Sequence, residues 1–330
     1  MIKVSLVTGC AGFIGSHMTD YLLKKKHKVI GIDNFISGKK VNLKNAIKNK
    51  NFFFIKSDLN NTDKYEKKIK KIDYVFHFAG HGELIPSIEN PIEYLYNNTL
   101  ITAKLLNIIY KNCTRIKKFV YAASSSCYGI NNSRTDEKSP IKIEHPYAFS
   151  KYLGEKCVFH WSKVYKIPVN SIRIFNAYGP RSRTNNVYGA VIGVFLKQKI
   201  SNYPLTIVGD GNQKRDFLYI SDVCDAFYKV AISKHKNHIF NLGFGKAETI
   251  NKLAKMISNK KSFIPWRPGE PKITEANTNK LKKLTGWRPK INLETGIKVV
   301  LENMNYWKHA PLWTKKSIKR SIKNWNKLLK

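Results

Sequence analysis

The feature that most constrains this chain is a glycine-rich turn near its start. Ile2–Thr8 reads as a buried strand, Gly9-Cys10-Ala11-Gly12-Phe13-Ile14-Gly15 follows directly, and an apolar helical pattern runs on through Leu23. Glycines between a strand and a helix allow a tight turn. They also let a pyrophosphate approach the N–H groups at the helix N-terminus. Asp33 ends the next strand, 18 residues after Gly15. A carboxylate there can accept from both ribose hydroxyls of NAD and repels a 2′-phosphate, so NAD is the expected cofactor. Asp58 closes the third strand, where the adenine is expected.

Further strands are expected at Val29–Asp33, Phe52–Ser57, Tyr74–Phe78, Phe119–Ala123 and Ile172–Phe175, with helices between most of them, for example over 92–111 and 147–165. Strands alternating with helices imply parallel pairing through crossovers. The fold class is therefore α/β: a Rossmann-type doubly wound parallel sheet with a smaller, interleaved C-terminal substrate-binding domain. The cofactor domain is expected over 1–175, with 219–245 returning to it. The substrate domain is expected over 176–218 and 246–305.

Residues 306–330 form a basic tail. From Lys308 to Lys330 there are eight lysines and arginines and no acidic residue, and Ile318, Ile322, Trp325 and Leu329 recur at helical spacing. Such a segment either docks on its own domain, frays, or lies on an anionic surface.

The formal net charge is +37, from 59 basic and 22 acidic residues, but only nine of the basic residues are arginine. Lysine is spread along the whole chain, which reads as solvated surface and not as a nucleic-acid face. No specific nucleic-acid partner is expected. Five scattered cysteines form no C-x-x-C pair, so neither a metal site nor a disulfide framework is indicated. The longest apolar runs are too short to span a membrane. The chain enters a strand at once, leaving no room for a signal peptide. A cytoplasmic location is expected.

Two further constellations carry chemistry. Tyr147 and Lys151 lie four apart on one helix face. An adjacent ammonium and an oxidised nicotinamide both favour phenolate, so Tyr147 is expected to act as a base near neutrality. Ser124-Ser125-Ser126 follows the fifth strand, 23 residues before Tyr147. Ligands bind at that edge of such sheets, and a hydroxyl there can relay the proton of a substrate hydroxyl.

Taken in order, these residues resemble the extended short-chain dehydrogenase/reductase family, within its NAD-dependent nucleotide-sugar epimerase and dehydratase group. The resemblance runs over roughly 1–305. It implies a catalytic set of Ser124, Tyr147 and Lys151. It extends the cofactor contacts from Gly9, Gly12, Gly15, Asp33 and Asp58 to Phe13, Ile14, Asn34, Leu59, Phe78, Ala79, Gly80 and Asn98. Arg173-Ile174-Phe175-Asn176 resembles the family's R-x-F-N, whose asparagine meets the substrate diphosphate. Leu205–Gly211 resembles the nucleobase-binding strand, with Thr206 and Val208 facing the base. Arg215, Arg267 and Glu270 resemble the phosphate and ribose clamps. Gly189, Ala190 and Val191 complete the expected substrate contacts.

Relatives that dehydrate carry an Asp-Glu pair where this chain has Ser125 and Ser126, so the resemblance favours a UDP-sugar 4-epimerase. Tyr147 would take the 4-hydroxyl proton through Ser124, a hydride would leave C4, and it would return to the other face of the 4-keto sugar. A nucleotide-sugar dehydratase or decarboxylase is the alternative, and a non-enzymatic NAD-binding regulator a remote one. Thr274 stands at a gate beside the C2 substituent and is small, which implies tolerance of N-acetylhexosamines beside plain hexoses. Glu83 either faces the sugar, disfavouring a uronic acid by like-charge repulsion, or points to solvent. Cys10, Gly80, Ile101 and Asn277 depart from the family's usual residues. The resemblance implies a homodimer joined through helices 92–111 and 147–165.

Overall fold

The structure is a computed structural model and describes residues 2–131, 134–182 and 190–328. In chain order the first half runs β1 (Val4–Thr8), α1 (Phe13–Lys24), β2 (Lys28–Asp33), β3 (Phe52–Lys56), β4 (Tyr74–His77), α2 (Leu84–Glu89), α3 (Pro91–Leu95), α4 (Ile101–Asn112), β5 (Lys118–Ser124), α5 (Pro146–Tyr165) and β6 (Val169–Ile174). There follow β7 (Asn176–Tyr178), α6 (Val191–Ile200), β8 (Leu205–Val208), β9 (Lys214–Arg215), β10 (Phe217–Tyr219), α7 (Ile220–Ile232) and β11 (His238–Leu242). The chain closes with β12 (Glu248–Thr249), α8 (Ile250–Ile257), β13 (Lys261–Ile264), β14 (Ile273–Thr274), α9 (Asn279–Thr285), α10 (Leu293–Glu302), α11 (Lys315–Ser321) and α12 (Lys323–Leu328).

Seven strands pair in the order β11-β6-β5-β4-β1-β2-β3, all parallel. The strand order reverses between β1 and β4, where Thr8 pairs with His77. A crevice opens at the carboxyl ends of the strands at such a point. Side chains alternate across the strands, so Val7, Phe76 and Val120 enter one core while Leu6, Val75 and Phe119 enter another. The first core packs on α1 and α7, through Met18, Leu22 and Phe227. The second packs on α4 and α5, through Leu105, Ile109 and Val158. A third core, with Phe195, Leu205, Leu253, Ile297 and Trp307, joins α6, α8, α10 and β8. No helix among the described residues is long and apolar enough to cross a membrane.

One element differs from the sequence expectation, and the tail takes one of the courses the sequence left open. The helix expected over 92–111 is broken by a π-helical turn at Tyr96–Leu100. That turn aims Asn98 at the loop after β4 and at α5, as described below. The tail docks: Ile318, Ile322 and Trp325 join Ile85, Val194, Val208 and Ile264 in a fourth apolar cluster. Leu329 lies outside the described residues.

Four histidines are held neutral, chiefly by burial, with His77 brought to about 3 and His17, His27 and His145 each to about 4. His77 is enclosed between Thr8 Oγ1 at 2.7 Å and Thr102 Oγ1 at 2.9 Å. Below about pH 6.5 the unfolded chain takes up protons that the folded chain refuses. The stability these groups contribute is therefore complete above about 6.5 and is lost as pH falls toward 4. Asp216, raised to about 6 by burial, and Asp222, raised for the same reason, act in the opposite sense, while His238, lowered by burial, adds to the four histidines. The Tm should fall between about pH 6.5 and pH 5, where ordinary carboxylates barely titrate; calorimetry showing net proton uptake on unfolding in that window would support this reading, and a flat Tm would contradict it.

Candidate active site

The crevice at the switch point opens into a single cleft of about 740 Å³ that runs from the Gly9–Gly15 turn to the C-terminal segment. Its cofactor half is built by the turn. Gly9 has φ +67°, and a Cβ there would meet Ala79 N at 2.8 Å. A Cβ on Gly15 would sit 2.0 Å from the Gly9 carbonyl oxygen. The turn is thus packed to a depth that only hydrogen atoms fit. Gly12 is the N-cap of α1 and makes no side-chain cap, and the first turn holds no acidic residue. The orphan N–H groups of that turn, with the helix dipole behind them, suit a pyrophosphate.

At the end of β2, Asp33 is oriented from two sides, with Oδ2 accepting from Ala11 N at 2.8 Å and Oδ1 from Phe35 N at 2.7 Å. Asn34 Nδ2 donates to Asp58 Oδ2 at 2.7 Å. Gly9, Gly12, Phe13, Ile14, Gly15, Asp33, Asn34, Asp58, Leu59, Phe78, Ala79 and Gly80 all border the cleft. These residues fit an NAD molecule: a cradle that a Cβ would fill, a helix N-terminus, and an acid at the end of the second strand.

Asn98 does not border the cleft. It is buried, donating to His81 O at 3.0 Å and Ser150 Oγ at 2.9 Å, while its Oδ1 accepts from His81 N at 2.8 Å. Its expected cofactor contact is replaced by a bracing role between the Gly80–His81 loop and α5. The cause is the π-helical turn, which no spacing rule reveals. Ile101, one turn later, borders the cleft and is also part of the core.

Ser124, Tyr147 and Lys151 are brought together at the cleft. β5 ends at Ser124, and α5 carries Tyr147 and Lys151 past it. The Ser124 hydroxyl lies near enough to the Tyr147 phenol to lower its pKa. Ser124 Oγ accepts from Ser126 N at 3.2 Å and donates to Ser126 Oγ at 3.1 Å. Lys151 Nζ lies 4.4 Å from the centre of the Tyr121 ring. Burial brings the Lys151 ammonium down to about 7, with Glu155 acting to raise it.

For Tyr147 the electrostatics differ from the sequence expectation. Burial raises the phenol above its ordinary value, the nearby Ser124 hydroxyl lowers it, and Cys127 raises it. Desolvation of the phenolate outweighs the neighbouring groups of the protein. A lowered phenol pKa therefore requires charge beyond what the protein supplies.

The substrate half lies across from this group. Asn176, on β7, donates to Asp216 O at 3.3 Å and Thr274 Oγ1 at 3.1 Å. Glu270 accepts from Arg215 at 2.9 Å through Oε1 and from Arg267 at 2.8 Å through Oε2, so one carboxylate holds two guanidinium groups side by side. Glu83 borders the cleft, with Oε2 accepting from Gly82 N at 3.1 Å and Tyr94 OH at 3.3 Å. Ser125, Ser126, Ala190, Val191, Thr206, Val208 and Thr274 border it too, while Gly189 lies outside the described residues. Sequence reasoning missed His145, Trp307, Trp313 and Trp325. Of these only the tail's helical periodicity gave any signal. Among the described residues no cluster of His, Cys, Asp or Glu could hold a metal ion.

A doubly wound sheet with a dinucleotide cradle at its switch point and a Ser-Tyr-Lys group beside it defines the class of short-chain dehydrogenase-type enzymes. Comparison with known proteins is more specific. The model of the NAD dependent epimerase/dehydratase family matches residues 5–243, and the chain belongs to that family. A Bacillus subtilis protein named as an uncharacterised UDP-glucose epimerase is 36% identical over 306 residues, covering 88% of this chain and 95% of that one. UDP-glucuronic acid 4-epimerase from Bacillus cereus, solved with UDP-glucuronic acid and NAD, superposes with a TM-score of 0.85 at 32% identity. UDP-N-acetylglucosamine 4-epimerase from Methanobrevibacter ruminantium, solved with UDP-N-acetylmuramic acid, does so with a TM-score of 0.84 at 33% identity. These matches cover 92% and 93% of this chain but 99% and 97% of the other, so a stretch of this chain is left over.

The cradle yields a test. The Gly15→Ala methyl must push backbone apart, at a cost of about 1–3 kcal/mol, in the turn that receives the pyrophosphate. NAD released per chain by acid extraction should fall sharply in the folded variant; undiminished NAD would show that the turn is not the cradle.

Proposed function

We propose that this protein is an NAD-dependent UDP-sugar 4-epimerase. The observation that carries this reading is the Ser124–Tyr147–Lys151 group at the midpoint of one continuous cleft. The dinucleotide cradle lies on one side and the paired Arg215 and Arg267 on the other. Both the hydride acceptor and the nucleotide sugar then meet at the same hydroxyls. Bound NAD supplies a reversible hydride acceptor, so that C4 of a hexose passes through a ketone and can be reduced on either face.

The protein's own groups handle the proton. Ser124 bridges the 4-hydroxyl and Tyr147, and Tyr147 takes the proton and later returns it. Lys151, buried with a pKa near 7, stands beside the tyrosine as a cation that is available near neutrality. Asn176, Arg215 and Arg267 hold the diphosphate, and a guanidinium fork suits that geometry. Anchored there, the sugar can turn over about the diphosphate linkage.

Ser125 and Ser126 are hydroxyls, and they supply no carboxylate pair for loss of water or carbon dioxide. This is the reason for preferring the epimerase over a dehydratase or decarboxylase. Thr274 is small, which favours acceptance of N-acetylhexosamines beside plain hexoses. Glu83 on the cleft wall disfavours a uronate. The exposed Ile92, Tyr96, Leu100 and Phe149, on α3, the π-helical turn and α5, form an apolar face suited to a second copy of the chain. All five cysteines are unpaired, which fits a reducing, cytoplasmic location.

Purified protein with no added cofactor should convert UDP-glucose, UDP-galactose and their N-acetylated counterparts to mixtures of C4 epimers by NMR, and leave UDP-glucuronate largely untouched. Tyr147→Phe should lose about 10²–10⁴-fold in rate, and Thr274→Tyr should lose the N-acetylated substrates selectively. A 4-keto-6-deoxy product or released carbon dioxide would replace the epimerase with the alternative chemistry. Sedimentation should show a dimer that Leu100→Glu converts to a monomer; a wild-type monomer would remove the dimer from the reading.

A further inference from the structure

The C-terminal segment, beyond the span that resembles the family, enters the substrate half of the cleft. Trp313 and Trp325 border it. Two hydrogen bonds fasten the segment to elements expected to hold the nucleotide sugar. Gln198 Nε2 donates to the Trp313 carbonyl at 2.7 Å and to Thr206 Oγ1 at 2.8 Å, and Gln198 Oε1 accepts from Thr206 N at 3.0 Å. One buried amide thus joins the tail to the nucleobase strand. Trp325 Nε1 donates to the carbonyl of Pro268 at 2.8 Å, inside the loop that carries Arg267 and Glu270.

Trp325 also faces the catalytic helix. Its ring lies 6.1 Å from that of His145, the N-cap of α5. His145 in turn stacks parallel to Tyr147, with centres 5.9 Å apart and planes 2° apart. Trp325 is 7% exposed and packs in the cluster that contains Ile85, two residues beyond Glu83. The indole therefore sits where the catalytic helix, the Glu83 loop and the arginine loop converge.

We propose that Trp325 is a specificity-determining residue. It forms the apolar end wall of the sugar pocket and presses an uncharged hexose, through the ring's C–H face, toward Ser124 and Tyr147. An aromatic face combines a large apolar area with little conformational freedom to lose, which suits it to fixing a sugar's position. The inference rests on the nucleotide-sugar reading above and assigns to the tail the selection of the sugar, leaving the nucleotide to β8 and the arginine loop.

The test compares UDP-glucose with UDP in the full chain loaded with NAD, in a Tyr147→Phe background so that nothing is converted. Calorimetry gives the ratio of the two Kd values. Trp325→Ala should weaken UDP-glucose by about ten-fold and leave UDP binding as before, with Trp325→Leu falling between. A tail that only docks would weaken both ligands together or neither, and either result in folded protein overturns the proposal. Thermal melts establish folding, and if the alanine variant does not fold, the leucine variant decides by the same ratio. The two readings separate cleanly. Wild-type protein that favours UDP-glucose over UDP yet epimerises nothing would sink the epimerase and leave the wall; wild-type protein with no such preference would sink the wall.

Discussion

A buried ion pair holds the catalytic helix to the sheet, and the site depends on it. Arg173, on β6, reaches Glu155, on α5, by two hydrogen bonds, Nη2 to Oε1 at 2.5 Å and Nε to Oε2 at 3.1 Å. Both side chains are almost completely inaccessible. Such a pair stands only if the remaining lone pairs and protons are satisfied. Here Ser171 Oγ donates to Glu155 Oε2, Arg173 Nη1 donates to Tyr128 OH, and Tyr128 OH donates to Asn241. Removing one partner of a pair like this costs about 3–5 kcal/mol, because a bare charge is left in the core. Glu155 is four residues beyond Lys151 and eight beyond Tyr147, and Ile174, beside Arg173, pairs with Ser124. The network that fastens α5 therefore also sets its register against the strand carrying Ser124.

The same carboxylate has an electrostatic role. Lys151 is buried in the cleft wall, where desolvation disfavours its charge, and Glu155 works against that tendency. For Tyr147 burial outweighs the lowering effect of Ser124, and the phenol is pushed up. The protein thus provides a tyrosine that is a poor base by itself and a lysine poised to change charge near neutrality. Coupling base strength to a cationic cofactor in the same cleft follows from that imbalance. It would keep proton removal in step with the presence of a hydride acceptor.

The strong positive charge is handled by dispersion. Most lysines sit on solvated faces, while the buried and half-buried cations of the core and cleft are each engaged: Arg173 with Glu155, Arg215 and Arg267 with Glu270, Lys118 with the carbonyls of Ser233 and His235, and Lys151 over the Tyr121 ring. In the tail the basic residues alternate with Ile318, Ile322 and Trp325, which turn inward to the fourth apolar cluster, where Trp325 also reaches the cleft. The charge of this segment is the outer face of a docked helix pair, so its amphipathicity reports burial against the protein itself.

What the sequence determined about this protein is what rests on short-range geometry. The Gly9–Gly15 turn, Asp33 after β2, Ser124 after β5 and the Tyr147/Lys151 spacing could all be read directly. In each case a strand end or a single helical turn places the group, and those periods are properties of the backbone. The alternation of strands and helices gave the doubly wound sheet for the same reason. Only the tertiary structure decided the rest. Asn98 turned away from the cleft because a π-helical turn re-aimed it, Glu155 found Arg173 across 18 residues, and Trp325 reached the loop at Pro268 across 57. Contacts of that kind depend on which surfaces the folded sheet leaves adjacent and on how deeply water is excluded between them. The raised Tyr147 pKa has the same origin, since desolvation is a property of the assembled cleft and of no residue pattern along the chain.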